Sequence, residues 1–114
     1  MARADRPVPY AQRVVEGLDD SGGAERVVIW IERRGPLWAV GRAVNPQHRP
    51  TDAPRADDYL FEGYELDDAL ESANGALRDD VNVSLQDGRG RTVRSFDRAE
   101  CLKPLEAWFF RGAT

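Results

Sequence analysis

The stretch that decides the fold is RVVIWIERRGPLWAVGRAV, residues 26–44. Its two halves are rich in β-branched and aromatic residues, which favour strands, and a Gly-Pro pair separates them. This pattern predicts a β-hairpin in which residues 26–33 pair with residues 37–44. The first strand is apolar on both faces around Trp30, so we expect it to lie in the middle of a sheet.

The segment before the hairpin has two interpretations. Residues 1–9 contain Pro7 and Pro9 among charged residues and are expected to form a loose arm. Residues 10–18 have apolar side chains that fit one face of a short helix, and we favour this interpretation because DDSGG follows as a stop signal. The alternative is a strand that enters a turn at the same point.

A long proline-rich loop is predicted after the hairpin, over residues 45–58. Pro46, Pro50 and Pro54 each remove a backbone donor and disfavour helix in the residue before them. Neither a helix nor a central strand tolerates prolines at this spacing. Loops of this length are uncommon in compact domains, and loops often carry function.

A strand and a helix are predicted next. Residues 59–64 are rich in aromatic side chains and are expected to form the strand. Residues 65–80 are expected to form the helix, because apolar residues recur there at spacings of three and four. The resulting stripe consists of Leu66, Ala69, Leu70, Ala73 and Leu77.

Two further elements complete the predicted fold. Residues 81–96 carry alternating apolar residues on either side of QDGRGR, which predicts a second hairpin. A helix is expected after Asp97, since this residue and Glu100 have the spacing of a capping box. Residues 10–114 are therefore expected to form a single two-layer α+β domain, with an antiparallel sheet of about five strands and two or three helices packed on one face.

Composition and charge narrow the functional class. The 114 residues include 20 acidic and 16 basic residues, for a net charge of −4. This charge disfavours long-range attraction to nucleic acid and to anionic membranes. Nearly all basic residues are Arg, which is typical of a GC-rich bacterial coding sequence. Because no signal-peptide core or membrane-length apolar run occurs in the sequence, we expect a cytoplasmic protein without membrane attachment.

No pattern identifies a catalytic residue, a metal ligand or a cofactor site, so we expect none of these and favour a non-enzymatic function. His48 is the only histidine, and the carboxylates near it follow no recognised ligand spacing. Asp-Asp pairs lie mostly at predicted element boundaries, where Asp caps helices and ends strands. Cys101 is expected to be a half-buried structural thiol and not a reactive one.

The function we favour is a binding or regulatory module that acts through protein contacts, including contacts with a second copy of the chain. The reason is the terminal sequence AWFFRG, in which Trp108, Phe109 and Phe110 are adjacent. A single helix cannot bury all three on one face. Phe110 is therefore expected to cover a neighbouring element or to meet a partner.

Two alternatives remain open. Arg89 and Arg91 at the second turn, together with Arg33 and Arg34 at the tip of the first hairpin, could bind single-stranded nucleic acid, with Trp30 or Trp38 as a stacking platform. A small-ligand or enzyme site could instead lie under the 45–58 loop. The candidate binding residues across all three hypotheses are Trp38, Arg42, His48, Arg49, Tyr59, Arg89, Arg91 and Phe110.

Overall fold

A four-stranded antiparallel sheet with helices on one face forms the structure. The computed structural model describes residues 8–18, 21–46, 58–88 and 93–103. The elements are β1 (Val8–Leu18), β2 (Ala24–Arg34), β3 (Leu37–Val44), β4 (Asp58–Gly63), α1 (Leu66–Gln86) and α2 (Arg98–Cys101). The strands lie side by side in sequence order. The α+β class and the antiparallel sheet are confirmed, but the sheet described has four strands and not five.

The predicted first hairpin is confirmed and forms the centre of the sheet. β2 and β3 pair in antiparallel register, with Trp30 opposite Gly41 and Arg34 opposite Leu37. Gly35 opens the two-residue loop with a φ of 57°, which glycine adopts without steric cost. β2 lies between β1 and β3, as its two apolar faces predicted.

Residues 10–18 form a strand, so the favoured helix is wrong and the alternative is correct. β1 pairs with β2 over its whole length. A register shift between Pro9 and Ala11 interrupts the alternation of side chains between the two faces. Tyr10 therefore packs against the same core as Ala11. The helical interpretation rested on Tyr10, Val14, Val15 and Leu18, but Val14 and Val15 lie on opposite faces of the strand.

Helix α1 continues through residues that were predicted to form a strand. The predicted stripe is confirmed, since Leu66, Ala69, Ala73 and Leu77 are buried against the sheet and Leu70 is partly buried. Residues 81–86 extend the helix by about one and a half turns, and residues 93–97 form no strand. The second hairpin is therefore wrong. The helix ends where Gly88 takes a φ of 69°.

Helix α2 begins where the capping pattern predicted. The Asp97 side chain accepts a 2.7 Å hydrogen bond from the Glu100 backbone N–H. An ion pair between Arg13 and Glu100 joins α2 to β1, and a second pair between Arg98 and Asp67 joins it to the start of α1. Cys101, the last residue of α2, is fully buried.

Apolar side chains fill both faces of the sheet. On the face covered by α1, one cluster includes Val15, Ile29, Val40 and the buried α1 residues. On the opposite face, which no helix of the described residues covers and which we call the helix-free face, Val28, Trp30 and Ala43 form a second cluster, and Val14 packs against it. Trp30 is fully buried in this second cluster.

Asn74 attaches the chain after α1 to the helix. Its side-chain oxygen accepts a hydrogen bond from the Phe96 N–H at 2.6 Å, and its amide donates one to the Phe96 carbonyl at 3.2 Å.

We expect Asn74→Ala to lower the free energy of unfolding by about 2 kcal/mol, since two partly buried hydrogen bonds are lost. Urea denaturation measures this change in the free energy of unfolding. Asn82→Ala, at an exposed position of the same helix, is the control and should change stability by less than about 0.5 kcal/mol. Equal effects of the two substitutions would contradict the role of Asn74.

Candidate functional site

The sequence-predicted site residues do not form one site in the described ranges. Trp38 and Arg42 lie on the α1-covered face of β3, whereas Tyr59 contacts side chains on the helix-free face. Trp38 is buried edge-on against Tyr10, with 5.1 Å between ring centroids. Five other candidates lie outside the described residues: His48, Arg49, Arg89, Arg91 and Phe110.

Arg42 is held by an aspartate of α1. Its Nε lies 3.0 Å from Asp80 Oδ2 and its Nη2 lies 2.8 Å from Asp80 Oδ1, a bidentate arrangement. Both side chains are partly buried between helix and sheet. The sequence interpretation placed Asp79 and Asp80 at the end of a shorter helix. Because the helix continues, Asp80 instead faces the sheet and fixes the Arg42 guanidinium.

A cleft of about 210 Å³ opens beside this ion pair, between the last turns of α1 and one end of the sheet. Valine side chains from β1, β2, β3 and α1 supply its apolar lining, and the polar lining includes the Arg42–Asp80 pair. The full lining consists of Val15, Gly17, Glu25, Val27, Arg42, Val44, Asp80, Val83 and Ser84. We call this feature the α1-end cleft.

One apolar side chain of the cleft lining is exposed. Val83 of α1 lines the α1-end cleft and is 48% exposed. Removing an exposed apolar side chain beside a cavity from water lowers the free energy of the system. The sequence does not predict this cleft, because the alternating residues VNVSL, 81–85, indicate a strand.

The same end of the molecule is negatively charged. The second half of α1 carries Asp79 and Asp80 against Arg78, and the last turn of the helix has no basic residue. The C-terminal end of a helix also carries a partial negative charge from its unpaired carbonyl groups. Asp87 stands at the C-cap and adds to it. The electrostatic environment at the α1-end cleft is therefore negative.

A buried carboxylate lies on the opposite, helix-free face. Glu32 is fully buried, and its Oε1 accepts a 2.6 Å hydrogen bond from Trp30 Nε1. Its Oε2 pairs with Arg34 Nε at 2.9 Å. Burial raises the pKa of the Glu32 carboxyl above its ordinary value of 4.5, although the Trp30 hydrogen bond and the Arg34 charge oppose this rise.

Exposed side chains of β4 complete this cluster. The Arg34 guanidinium lies 4.5 Å from the Tyr59 ring centroid and its Nη1 contacts Glu62 Oε2 at 2.8 Å. Tyr59 OH lies 3.5 Å from Glu32 Oε2, and burial followed by the Glu32 charge raises the pKa of Tyr59. Both Glu32 oxygens are thus engaged. We interpret the cluster as a structural link between the hairpin tip and the edge strand β4.

Two further sequence hypotheses can be compared with the structure. Trp30 and Trp38 are buried, so neither offers an open face on which a nucleic-acid base could stack. Cys101 is fully buried, and burial raises the pKa of its thiol to about 12. A thiol with this pKa has almost no thiolate at neutral pH and is a poor nucleophile.

Comparison of the chain with models of protein families, with curated proteins and with solved structures finds no match. Within the described ranges, no three His, Cys, Asp or Glu side chains are arranged so that they could hold a metal ion. Helix α1 has the length to cross a bilayer but is highly charged, and none of the described helices is both long and apolar enough to do so.

Proposed function

We propose that the protein is a non-enzymatic binding module that engages a partner protein through the α1-end cleft. The observation that carries this proposal is the cavity between α1 and the sheet, whose valine-rich lining includes the half-exposed Val83. Covering such side chains contributes roughly 25 cal/mol per Å² of apolar surface removed from water.

The size of the α1-end cleft favours a protein segment over a free small molecule. Its volume of about 210 Å³ is below the roughly 300–1,000 Å³ of typical small-molecule pockets. A cavity of this size accommodates one or two side chains of an extended segment or of a helix. The bidentate Arg42–Asp80 pair holds part of the lining in place before binding, which reduces the entropy lost on association.

A selection of random dodecapeptides on the immobilised protein tests this function. Enriched peptides are expected to bind the unmodified chain and to lose at least about tenfold in affinity on Val83→Lys, which corresponds to about 1.4 kcal/mol. The matched control is Leu85→Lys. Leu85 is 54% exposed in the same turn of α1 but does not line the cleft, so this variant should lose less than about twofold.

The outcomes of the selection show whether the peptides bind at the α1-end cleft or elsewhere on the surface. Peptides that bind Val83→Lys and Leu85→Lys equally well, or a selection that enriches nothing, would contradict the proposal. Circular dichroism of both variants confirms that the fold is retained. Light scattering of the unmodified chain and of Val83→Lys at high concentration determines whether a second copy of the chain is the partner.

A further inference from the structure

We infer that the segment bound in the α1-end cleft is basic, with a Lys or Arg side chain next to apolar residues. This inference rests on the proposed function and adds the chemistry of the partner. The lining contains two carboxylates, Glu25 and Asp80, against one guanidinium, Arg42. Because Asp80 accepts hydrogen bonds from Arg42 Nε and Nη2, the positive charge of Arg42 is offset by a carboxylate of the same lining.

The charge outside the cleft has the same sign. In the second half of α1, Asp79 and Asp80 outnumber Arg78, and no basic side chain in the last turn offsets the negative end of the helix dipole. The whole chain has a net charge of −4. A basic segment is therefore attracted as it approaches, whereas an acidic segment is repelled.

The apolar lining suits the same kind of segment. Lys and Arg combine an aliphatic stem with a charged head, so the stem can lie along the valines while the head remains near carboxylates and water. Val15, Val27, Val44 and Val83 line the walls, and Glu25 lies on the same side of β2 as Val27. Apolar neighbours of the basic residue would cover the exposed Val83.

Three blocked nonapeptides test the inference. Each has a central Leu-X-Leu flanked by Gly-Ser-Gly, where X is Arg, Gln or Glu, and binding is followed through the backbone NMR signals of Gly17, Val27 and Val83. We expect the Arg peptide to bind at least about tenfold more tightly than the Glu peptide at low salt. The ratio should fall at high salt, because exposed charges are then screened.

A variant that removes one charge from the cleft tests whether the preference for the Arg peptide arises there. Glu25→Gln is expected to reduce the preference for the Arg peptide over the Glu peptide about threefold or more. Glu71→Gln removes an exposed carboxylate from α1 more than two turns before the cleft and is expected to leave the preference within about twofold. An equal effect of both variants would mean that the preference does not arise at the cleft and would overturn the inference.

The result also distinguishes the inference from the function on which it rests. If the Arg and Glu peptides bind equally and both are lost on Val83→Lys, the cleft binds segments but the basic preference is overturned. If no peptide shifts the cleft signals, or if Val83→Lys leaves all three affinities unchanged, the function and the inference both fall.

Discussion

Gly41→Ala is expected to lower the free energy of unfolding by about 3 kcal/mol, although it adds only one methyl group. A Cβ atom at this position would lie 2.5 Å from Trp30 Cζ2 and 2.6 Å from Trp30 Cε2. Trp30 is fully buried, and its Nε1 donates to Glu32, so the ring cannot move without losing packing and a hydrogen bond. Thermal or urea denaturation should show the loss, with a Tm lower by roughly 15 °C.

The same substitution in helix α1 is the matched control. A Cβ atom at Gly75 would have Arg78 Nη2 as its nearest neighbour at 3.7 Å, which is an ordinary contact. Gly75→Ala is therefore expected to stabilise the protein by about 0.5–1 kcal/mol, because alanine loses less backbone entropy in a helix. A Gly41→Ala protein within about 0.5 kcal/mol of the unmodified chain would show that the indole does not lie across β3.

Glu32→Ala should destabilise the protein by about 3 kcal/mol at neutral pH. The substitution leaves the Trp30 indole N–H buried without its acceptor and opens a space beneath Tyr59. Arg34 is less affected, because its side chain is 36% exposed and also contacts Glu62. Glu32→Gln keeps an acceptor for Trp30 and is expected to lose less than about 1.5 kcal/mol. If alanine and glutamine had equal effects, the indole hydrogen bond would contribute nothing.

The pH dependence of the Glu32→Gln variant tests the raised pKa. A carboxyl with a higher pKa in the folded state than in the unfolded state stabilises the fold fully below its unfolded pKa, near 4.5. This contribution is lost as the pH rises through the folded pKa. The stability of the unmodified chain minus that of Glu32→Gln should therefore decrease with pH above about 4.5 and then become constant. A difference that is flat from pH 4 to 8 would exclude a raised pKa.

The Glu32 cluster and the α1-end cleft lie at separate places in the fold. Glu32 is at the hairpin-tip end of β2 on the helix-free face, whereas Val27 and Glu25 line the cleft near the other end of β2 on the α1-covered face. Changes at sites that share no partners act independently. Glu32→Gln should therefore leave peptide binding at the cleft unchanged, while Val83→Lys should leave the Glu32 pH dependence unchanged.

Local chemistry was sufficient to determine several elements from the sequence. β-branched and aromatic residues around a Gly-Pro loop determined the β2–β3 hairpin, and apolar residues at helical spacing determined the first four turns of α1. The cap at Asp97 followed from a side chain that bonds a backbone group three residues away. Each of these features depends on interactions between residues that are close in sequence.

Only the tertiary structure decided the remainder, because packing overrode local preference. The β1 segment resembled a helix until its pairing with β2 was known, and residues 81–86 resembled a strand until they continued α1 across the sheet. Arg42 and Asp80 are 38 residues apart in the chain, so their ion pair and the cleft beside it exist only when helix and sheet are packed together. Long-range contacts of this kind leave no local pattern, which is why the site could not be read from the sequence alone.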